Sequence, residues 1–380
     1  MQEMTAYLDN AATTRVCDEA LAAAVAMMRD CYGNPSSLHA LGADSAKQMA
    51  RAREAVASLL GCQPECVYFT SGGSEANNLA IFGAAGARAR LGKRIVTTAA
   101  EHSSVSGAVG RLEGEGWDVV RVRPDAHGQI DARAVADAVD GQTALVSMMY
   151  VNNETGAVFP VERAARLIRA KNPRTLIHCD GVQAFGKLPV HVGRIQIDLM
   201  SVSGHKICAP KGSGALYIRR GVHVPPLIFG GGQERGMRAG TENLPAIAAL
   251  GAACAVLDSR VREHFERACA LRGRLLELLA QIEGVRVLSP PDGSPYITCL
   301  SVPGYRSETM LHFLESRGVF VSSGSACSKG ASSPVLAAMG LPAPVMDGAL
   351  RVSLIYTSRE EELRQLADAL AEGIRTVAHR

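Results

Sequence analysis

The sequence predicts an α/β protein in which a mostly parallel sheet forms a large domain beside a smaller α+β domain. Between about residue 66 and residue 220, short apolar runs alternate with helical patterns, as in βα units with helices on both sheet faces. The chain has 380 residues, more than the roughly 250 to 300 at which a single core stops growing. We expect residues 14–255 to form the large domain, and residues 1–13 with 256–380 to form the small one.

Helical spacing of apolar residues occurs first at 16–29 and at 44–60, and Gly61 is a natural end for the second helix. Seven strands are predicted after it, because each run is short, apolar and followed by turn residues. They are CVYFT (66–70), RIVTT (94–98), DVVRVR (118–123), TALVSMMY (143–150), TLIHCD (175–180), DLMSVS (198–203) and GALYIR (214–219).

The last third of the sequence predicts the smaller domain. A long helical pattern at 246–282 precedes YITCLSV (296–302) and ALRVSLI (349–355), which are typical of strands. Ser358 and Glu361 have the spacing of a capping box. The final helix that this box would begin has one apolar face, formed by Leu363, Leu366, Leu370, Ile374 and Val377.

Composition excludes several classes of protein. The net charge is +3 and basic residues are interleaved with acidic ones, so no nucleic-acid-binding surface is indicated. No apolar run reaches the roughly 18 residues of a membrane span, and the first residues lack the features of a signal peptide. We expect a cytoplasmic protein with reduced cysteines and with neither nucleic acid nor membrane as a direct partner. Cys62 and Cys66 lack a second ligand pair, so no metal is expected.

The stretch FTSGGSEANNLA (69–80) reads as a strand, a turn of small residues and a helix. Unpaired N–H groups at a helix N-terminus attract anions, and Gly72, Gly73 and Ser74 would let a phosphate approach closely. The alternative is a plain turn in which Ser74 caps the helix. The motif alone does not decide between the two.

Two further strand ends carry reactive side chains: Asp180 with Gln183, and Ser203 with His205 and Lys206. Each has an ordinary structural explanation, such as a helix cap, a loop position or a solvated surface. Ligands of an open α/β sheet bind beyond the carboxyl ends of its strands, however, and so the joint placement favours one crevice. An acid, an amine and an anion site together are what pyridoxal phosphate requires.

With these residues in place, the sequence resembles a cysteine desulfurase of the NifS/IscS family, in class V of the fold type I pyridoxal phosphate-dependent enzymes. The resemblance extends from YLDNAATT (7–14) to ALRVSL (349–354), through motifs that include AEHSSV, VNNETG, DGVQAFGKLP, SGHKICAPKGSGALY, GGGQERGMRAGTEN and SSGSAC. It implies a fold type I transferase that converts L-cysteine to L-alanine, and it implies a homodimer.

The resemblance also assigns roles to single residues. It implies that Lys206 carries the cofactor, that Asp180 pairs with the pyridine nitrogen, and that His102 stacks on the ring. Further cofactor contacts are implied for Asn153 and Gln183 at the phenolic oxygen, and at the phosphate for Gly73, Ser74, Ser203, His205 and, from the neighbouring subunit, Thr241. Asn34 and Arg351 would bind the substrate, because a guanidinium can hold an α-carboxylate through two parallel hydrogen bonds.

Cys327 lies among serines, glycines and alanines in VSSGSACSKGASS (321–333), so its sulfur has little to pack against and is expected to react. By the resemblance, its thiolate attacks the substrate sulfur and keeps it as a persulfide, with His102 as proton partner. The stretch from Cys327 to Pro334 is shorter than in most relatives with this motif. The sulfur acceptor therefore stays open between an iron–sulfur scaffold protein and a tRNA-thiolation enzyme.

Three other functions are compatible with the fold. A selenocysteine lyase differs from a desulfurase by one atom of its substrate. Another β-lyase would differ by releasing free sulfide. A transaminase is disfavoured because it would leave Cys327 without a role. A non-catalytic scaffold that binds sulfur-trafficking partners is disfavoured because Lys206, Asp180 and Cys327 are all present.

Overall fold

The structure is a computed structural model that describes residues 5–323 and 333–377. The first strand, β1 (Ala6–Tyr7), belongs to a small sheet, whereas the next seven strands form one large sheet. These seven are β2 (Val67–Thr70), β3 (Arg94–Thr98), β4 (Asp118–Val122), β5 (Thr143–Met149), β6 (Leu176–Asp180), β7 (Leu199–Ser203) and β8 (Gly214–Ile218). All seven strands predicted from the sequence are confirmed.

The large sheet has the strand order β2-β8-β7-β6-β5-β3-β4. Strand β8 runs antiparallel to its neighbours β2 and β7, and the other pairs are parallel. Strands β2 to β7 therefore point the same way, and their carboxyl ends lie along one edge. Strands β5 to β8 are buried along their whole length, which explains why their sequences are almost continuously apolar.

Helices before and between these strands cover the sheet. They are α1 (Asp18–Arg29), α2 (Ala40–Leu60), α3 (Gly73–Arg88), α4 (Ser103–Gly114), α5 (Ala132–Asp137), α6 (Val161–Lys171) and α7 (Val192–Ile195). The two predicted N-terminal helices are confirmed, although α2 begins earlier, where the His39 side chain accepts a hydrogen bond from Gly42 N. Gly61 ends α2 in a left-handed conformation with φ +68°, which glycine adopts without strain.

The long helical pattern at 246–282 is two helices rather than one. Helix α8 (Leu244–Asp258) and helix α9 (Val261–Ala280) are bent by 74° where they join. The reason is packing: α8 is apolar around its circumference and packs against α1 and α2, whereas α9 is amphipathic and packs against the C-terminal helix. No single helix of the described residues is both long and apolar enough to cross a membrane, and only this bent pair meets that criterion when taken together.

The remaining elements form the second region. They are β9 (Arg286–Val287), β10 (Ile297–Ser301), α10 (Ser307–Ser316), β11 (Val319–Phe320), β12 (Ser322–Ser323), α11 (Pro334–Ala338), α12 (Ala343–Asp347), β13 (Ala349–Ser353) and α13 (Glu360–Thr376). Four of them make an antiparallel sheet in the order β12-β13-β10-β9, and β1 pairs in parallel with β11. The chain start thus joins the C-terminal third, while the domain boundaries themselves stay a prediction.

The predicted capping box at Ser358 is wrong by one residue. Arg359 is the residue before α13, and its backbone N–H donates to Glu362 Oε2 at 2.7 Å. Ser358 instead closes a local turn, in which its Oγ accepts from Ile355 N at 3.0 Å. Both pairs have the same spacing, so the sequence could not separate them without the turn.

Candidate active site

A cavity of about 310 Å³ lies at the carboxyl edge of the large sheet. Its lining comes from the ends of β2, β3, β5, β6 and β7 and the segments that follow them. Further lining residues are Ala11 and Ala12 near the N-terminus, Pro334 of α11 and Arg351 of β13. Ten residues that the sequence singled out line it together: Gly73, Ser74, His102, Asn153, Asp180, Gln183, Ser203, His205, Lys206 and Arg351. The topology thus brings strand ends that are far apart in sequence into one site.

Two site residues expected from the sequence, Asn34 and Thr241, are described by the structure and are not on this lining. Asn34 is exposed, and its Oδ1 accepts from Ser36 N at 2.9 Å. Thr241 is also exposed, in keeping with a role that was expected across a subunit boundary. Cys327 lies outside the described residues.

Asp180 is the last residue of β6 and is 5% exposed. Asn77 Nδ2 donates to its Oδ2 at 2.8 Å, and Val182 N donates to its Oδ1 at 3.0 Å. Burial raises the pKa of Asp180, although these two hydrogen bonds oppose the shift. No ion pair within the described part of the chain involves this carboxylate, so it has room for a cationic partner in the cavity.

His102 precedes α4 and caps it. Its Nδ1 accepts from Ser104 N at 3.2 Å and lies 2.8 Å from Ser104 Oγ. Because Nδ1 is an acceptor, the neutral ring carries its hydrogen on Nε2. Burial lowers the pKa of His102, and the charge of Lys206 acts in the same direction. The ring is therefore neutral near pH 7, and Nε2 is the nitrogen that can exchange a proton with a ligand.

Asn77 connects the acid to the histidine, and the sequence analysis did not identify it. Its Nδ2 donates to Asp180 Oδ2 and to Ser104 Oγ, both at 2.8 Å. Asn77 is four residues after Gly73, on the same face of α3, so helical periodicity applied to the glycine motif could have found it.

The N-terminal segment holds the lysine. Lys206 Nζ donates to the carbonyl oxygens of Ala11 at 2.6 Å and Ala12 at 2.7 Å. Thr14 anchors the same segment, since its backbone N–H donates to His205 O at 2.9 Å. Backbone acceptors of this kind leave no signal in residue type, so only the fold reveals them.

Arg351 is 3% exposed and lies on β13. Its Nη2 donates to Asp9 Oδ1 and its Nη1 donates to Asn153 O, both at 2.9 Å. Its Nε is buried and has no hydrogen-bond partner within the described residues. A guanidinium has five N–H groups, so Arg351 keeps donors for an anionic ligand.

The N-terminus of α3 forms the other end of the cavity. No side chain caps it, which contradicts the alternative that Ser74 is the helix cap. Gly72 has φ +151°, and a Cβ atom at Gly73 would lie 2.8 Å from Val182 Cγ2. Glycine is thus required for the close packing of this turn. His205 lies nearby on the lining, and burial lowers its pKa to about 4, so its ring is neutral.

Two glutamates, the buried Glu101 and the half-buried Glu154, were also missed by sequence reasoning. Glu101 Oε1 accepts from Thr98 Oγ1 at 2.6 Å and from Met149 N at 3.1 Å, and burial raises the pKa of Glu101 to about 8. Glu154 lies on the cavity lining, where Ser333 Oγ donates to its Oε2. Burial raises the pKa of Glu154 to about 7. Both residues are in quoted motifs, but nothing in a motif indicates burial.

These groups suit pyridoxal phosphate, which presents a ring nitrogen, an aldehyde and a phosphate. Asp180 is a buried acid that forms no ion pair with a cation of the described residues, Lys206 offers an amine, and α3 has an uncapped N-terminus beside Ser203. The described residues contain no group of three or more His, Cys, Asp or Glu side chains placed to hold a metal ion.

Comparisons with known proteins agree with this interpretation. Residues 6–366 match the family described as Aminotransferase class-V. Cysteine desulfurase 2 of Trichormus variabilis is 43% identical over 379 residues, which is 98% of this chain and 94% of the relative. Cysteine desulfurase IscS of Methanosarcina thermophila is 37% identical over 96% of this chain and 91% of its own length.

Solved structures show the same similarity. A NifS-like protein superposes with a TM-score of 0.93 at 36% identity, covering 98% of this chain and 100% of that one. The resemblance predicted from the motifs is confirmed. The chain belongs to the class-V aminotransferase family of pyridoxal phosphate-dependent enzymes, and within it to the relatives of the NifS and IscS cysteine desulfurases.

Proposed function

We propose that this enzyme is a cysteine desulfurase that converts L-cysteine to L-alanine and keeps the sulfur on Cys327 as a persulfide. One observation carries the proposal: a single cavity is lined by Lys206, Asp180 and Arg351. An amino acid bound there would have its carboxylate at Arg351 and its α-carbon within the reach of a lysine. The relatives named cysteine desulfurase support the choice of substrate.

When bound in this cavity, pyridoxal phosphate would supply an electron sink for negative charge at the substrate α-carbon. Asp180 and Lys206 would hold it, together with the N-terminus of α3. Arg351 would orient the substrate through its carboxylate, since two parallel N–H donors match two oxygens. Lys206 Nζ would take the α-proton, and His102 Nε2 would exchange a proton with the substrate or the product.

The sulfur step falls to Cys327. Its thiolate forms a bond to the substrate sulfur while the carbon–sulfur bond breaks, and the electron pair of that bond stays on carbon, where a proton completes alanine. His102 Nε2 would donate its proton to that carbon, and the thiol proton of Cys327 would replace it on Nε2, so protons and electrons balance. The proposed acceptor of the persulfide is an iron–sulfur scaffold protein or a tRNA-thiolation enzyme.

A homodimer is part of the same proposal. Leu227, Ile228 and Phe229 form an exposed apolar segment, and Phe229 is 82% exposed. Ile228 pairs with Arg238 through a single parallel bridge, which places this segment close to the one that contains Thr241. An exposed apolar stretch beside a residue expected to act in a neighbouring subunit supports an interface there.

The test is to supply L-cysteine to the protein reconstituted with pyridoxal phosphate, to quantify alanine, and to search the peptide that contains Cys327 for the mass of one added sulfur. We expect Cys327→Ala to keep the yellow cofactor and to lose the added sulfur, because the proposal gives this thiol a role in sulfur transfer and none in holding the cofactor. Lys206→Ala should lose both, since it removes the amine that holds the cofactor.

Three outcomes would contradict the proposal. Sulfur transfer to an acceptor by Cys327→Ala would remove the role of this thiol. Alanine formed from L-selenocysteine but not from L-cysteine would identify a selenocysteine lyase. Protein that does not acquire an absorption band near about 420 nm with pyridoxal phosphate would favour a non-catalytic scaffold.

A further inference from the structure

Lys187 is a buried lysine to which the chemistry above gives no role. It lies in the segment after β6, is 2% exposed, and forms no ion pair with any carboxylate of residues 5–323 and 333–377. Burial, with the charge of Lys206, lowers the pKa of Lys187 to about 7. Burying an amine without a carboxylate is costly, so its position calls for a compensating function.

Within the described residues, the Lys187 amine makes its hydrogen bond to Gln183, a residue expected at the cofactor site. Its Nζ donates to Gln183 Oε1 at 3.0 Å, and Gln183 Nε2 donates to Ala11 O at 2.9 Å. The opposite orientation of the amide would place Oε1 against the carbonyl oxygen of Ala11, which is repulsive, and Nε2 against the N–H groups of the Lys187 amine. The observed orientation satisfies both neighbours at once.

We propose that Lys187 is a positioning residue, which holds Gln183 as a hydrogen-bond donor toward the cavity. Gln183 Nε2 has two hydrogens, of which Ala11 O takes one, and the other is available to a ligand. This inference rests on the proposed function, in which the ligand atom is the phenolic oxygen of pyridoxal phosphate. It adds that the amide can serve that oxygen only as a donor.

The consequence is spectroscopic. In the bound cofactor, the phenolic oxygen shares a proton with the nitrogen that links the cofactor to the lysine. A hydrogen bond donated to this oxygen by the protein makes the oxygen a weaker acceptor for that proton. Donation by Gln183 therefore lowers the pH at which the visible absorption of the bound cofactor changes. If the Gln183 amide could adopt either orientation, part of this lowering of the midpoint pH would be lost.

The experiment compares Lys187→Met, Gln183→Leu and the double variant, each reconstituted with pyridoxal phosphate and titrated with pH while the visible absorption is recorded. Lys187→Met should raise the midpoint by about one pH unit, the size expected for one hydrogen bond to a charged group. Gln183→Leu should raise it as well, and the double variant should not exceed Gln183→Leu. Lys171→Met is the matched control, because the hydrogen bonds of Lys171 to described residues go to Ala136 O and Asp137 O; its midpoint should equal that of the wild type.

A Lys187→Met midpoint equal to the wild type, or shifts that add in the double variant, would overturn the proposal, since Lys187 would then not act through Gln183. Should Lys187→Met fail to fold in a thermal melt, Lys187→Gln, which keeps a donor, takes its place and should shift the midpoint less, in the same direction. The midpoint needs no turnover. An enzyme that forms no alanine would therefore contradict the proposed function without changing the result of this test.

Discussion

At the scale of single residues, the site depends on charged groups whose partners are few and whose surroundings are dry. Arg351 and Asp9 form an ion pair in which the arginine side chain is 4% exposed. Glu101 is buried with one oxygen lacking any hydrogen-bond partner in the described chain. Removal of a hydrogen-bonding or charged partner at these buried positions lowers the free energy of unfolding strongly, because water cannot replace the lost interaction.

Asp9→Asn should lower the free energy of unfolding by about 2 kcal/mol, because Arg351 would keep its charge and lose a carboxylate. L-alanine should stabilise this variant more than the wild type, since its carboxylate supplies the missing partner. Thermal melts with and without L-alanine measure both effects. Asp292→Asn is the control, because Asp292 is exposed and accepts a hydrogen bond from Gln129 rather than from an arginine of the described residues. Equal stabilisation of the variant and the wild type would show that Arg351 does not bind the ligand carboxylate.

Glu101→Gln should change how stability depends on pH. Because burial raises the pKa of Glu101 from 4.5 to about 8, the folded protein binds the proton more tightly than the unfolded chain does. The contribution to stability is therefore complete below about pH 4.5 and is lost as the pH rises toward 8.

The glutamine variant lacks that titration. We expect it to match the wild type at about pH 5 and to exceed it by roughly 2 kcal/mol or more at about pH 8.5. Urea unfolding at the two pH values is the measurement. Parallel stability curves for the two proteins would mean that Glu101 is ionised in the folded state.

At the scale of elements, a buried ion pair links helix α2, strand β2 and the short helical turn that contains Glu234. Glu234 accepts from Arg53 of α2 at 2.7 and 2.8 Å and from Phe69 N of β2 at 2.8 Å. Glu234 itself lies in a short helical turn with φ +46°, an uncommon conformation for a residue with a side chain. The pair thus holds a strained turn against the sheet, just before the segment with Thr241.

Glu234→Gln should cost about 3 kcal/mol of unfolding free energy, because Arg53 would stay buried without its counter-charge. The double variant Arg53→Met with Glu234→Gln should lose less than the sum of the single variants, since the two residues are coupled. Urea unfolding measures all three. The exposed pair Arg262 and Glu266 is the control, and Glu266→Gln should cost less than about 0.5 kcal/mol. Additive losses at 53 and 234 would contradict the coupling.

At the scale of the whole molecule, the cavity needs both regions of the chain. Most of its lining comes from the large sheet, yet Arg351 comes from β13 and Ala11 from the N-terminal segment. Because β1 pairs with β11, the segment from Ala6 to Thr14 connects the small sheets with the lysine. The proposed second subunit would add Thr241 to this arrangement.

Phe229→Asp should convert a dimer into a monomer, because it places a charge in an apolar segment that we propose is covered by the second subunit. Sedimentation velocity of the wild type and the variant measures the change. Val287→Asp is the control, since Val287 is also an exposed apolar residue, 41% exposed, but lies on β9. A monomeric wild type, or a variant that stays dimeric, would show that the interface lies elsewhere or does not form.

The sequence by itself determined the fold class, the seven strands of the large sheet and the family, because periodicity, turn residues and long motifs are local properties. It also singled out the side chains that carry chemistry, such as Asp180 and Lys206. It did not separate two helices at residue 258 or place the capping box, because in both cases packing against other elements decided between equivalent local patterns.

Only the tertiary structure decided which groups meet and in which state. It revealed that Asn77 joins the acid to the histidine, that backbone carbonyls hold the lysine, and that Lys187 faces Gln183. It also determined which carboxyl groups are dry and therefore hold protons near neutral pH. Hydrogen bonds to backbone atoms and the loss of water depend on residues that are distant in sequence, and for that reason no local pattern encodes them.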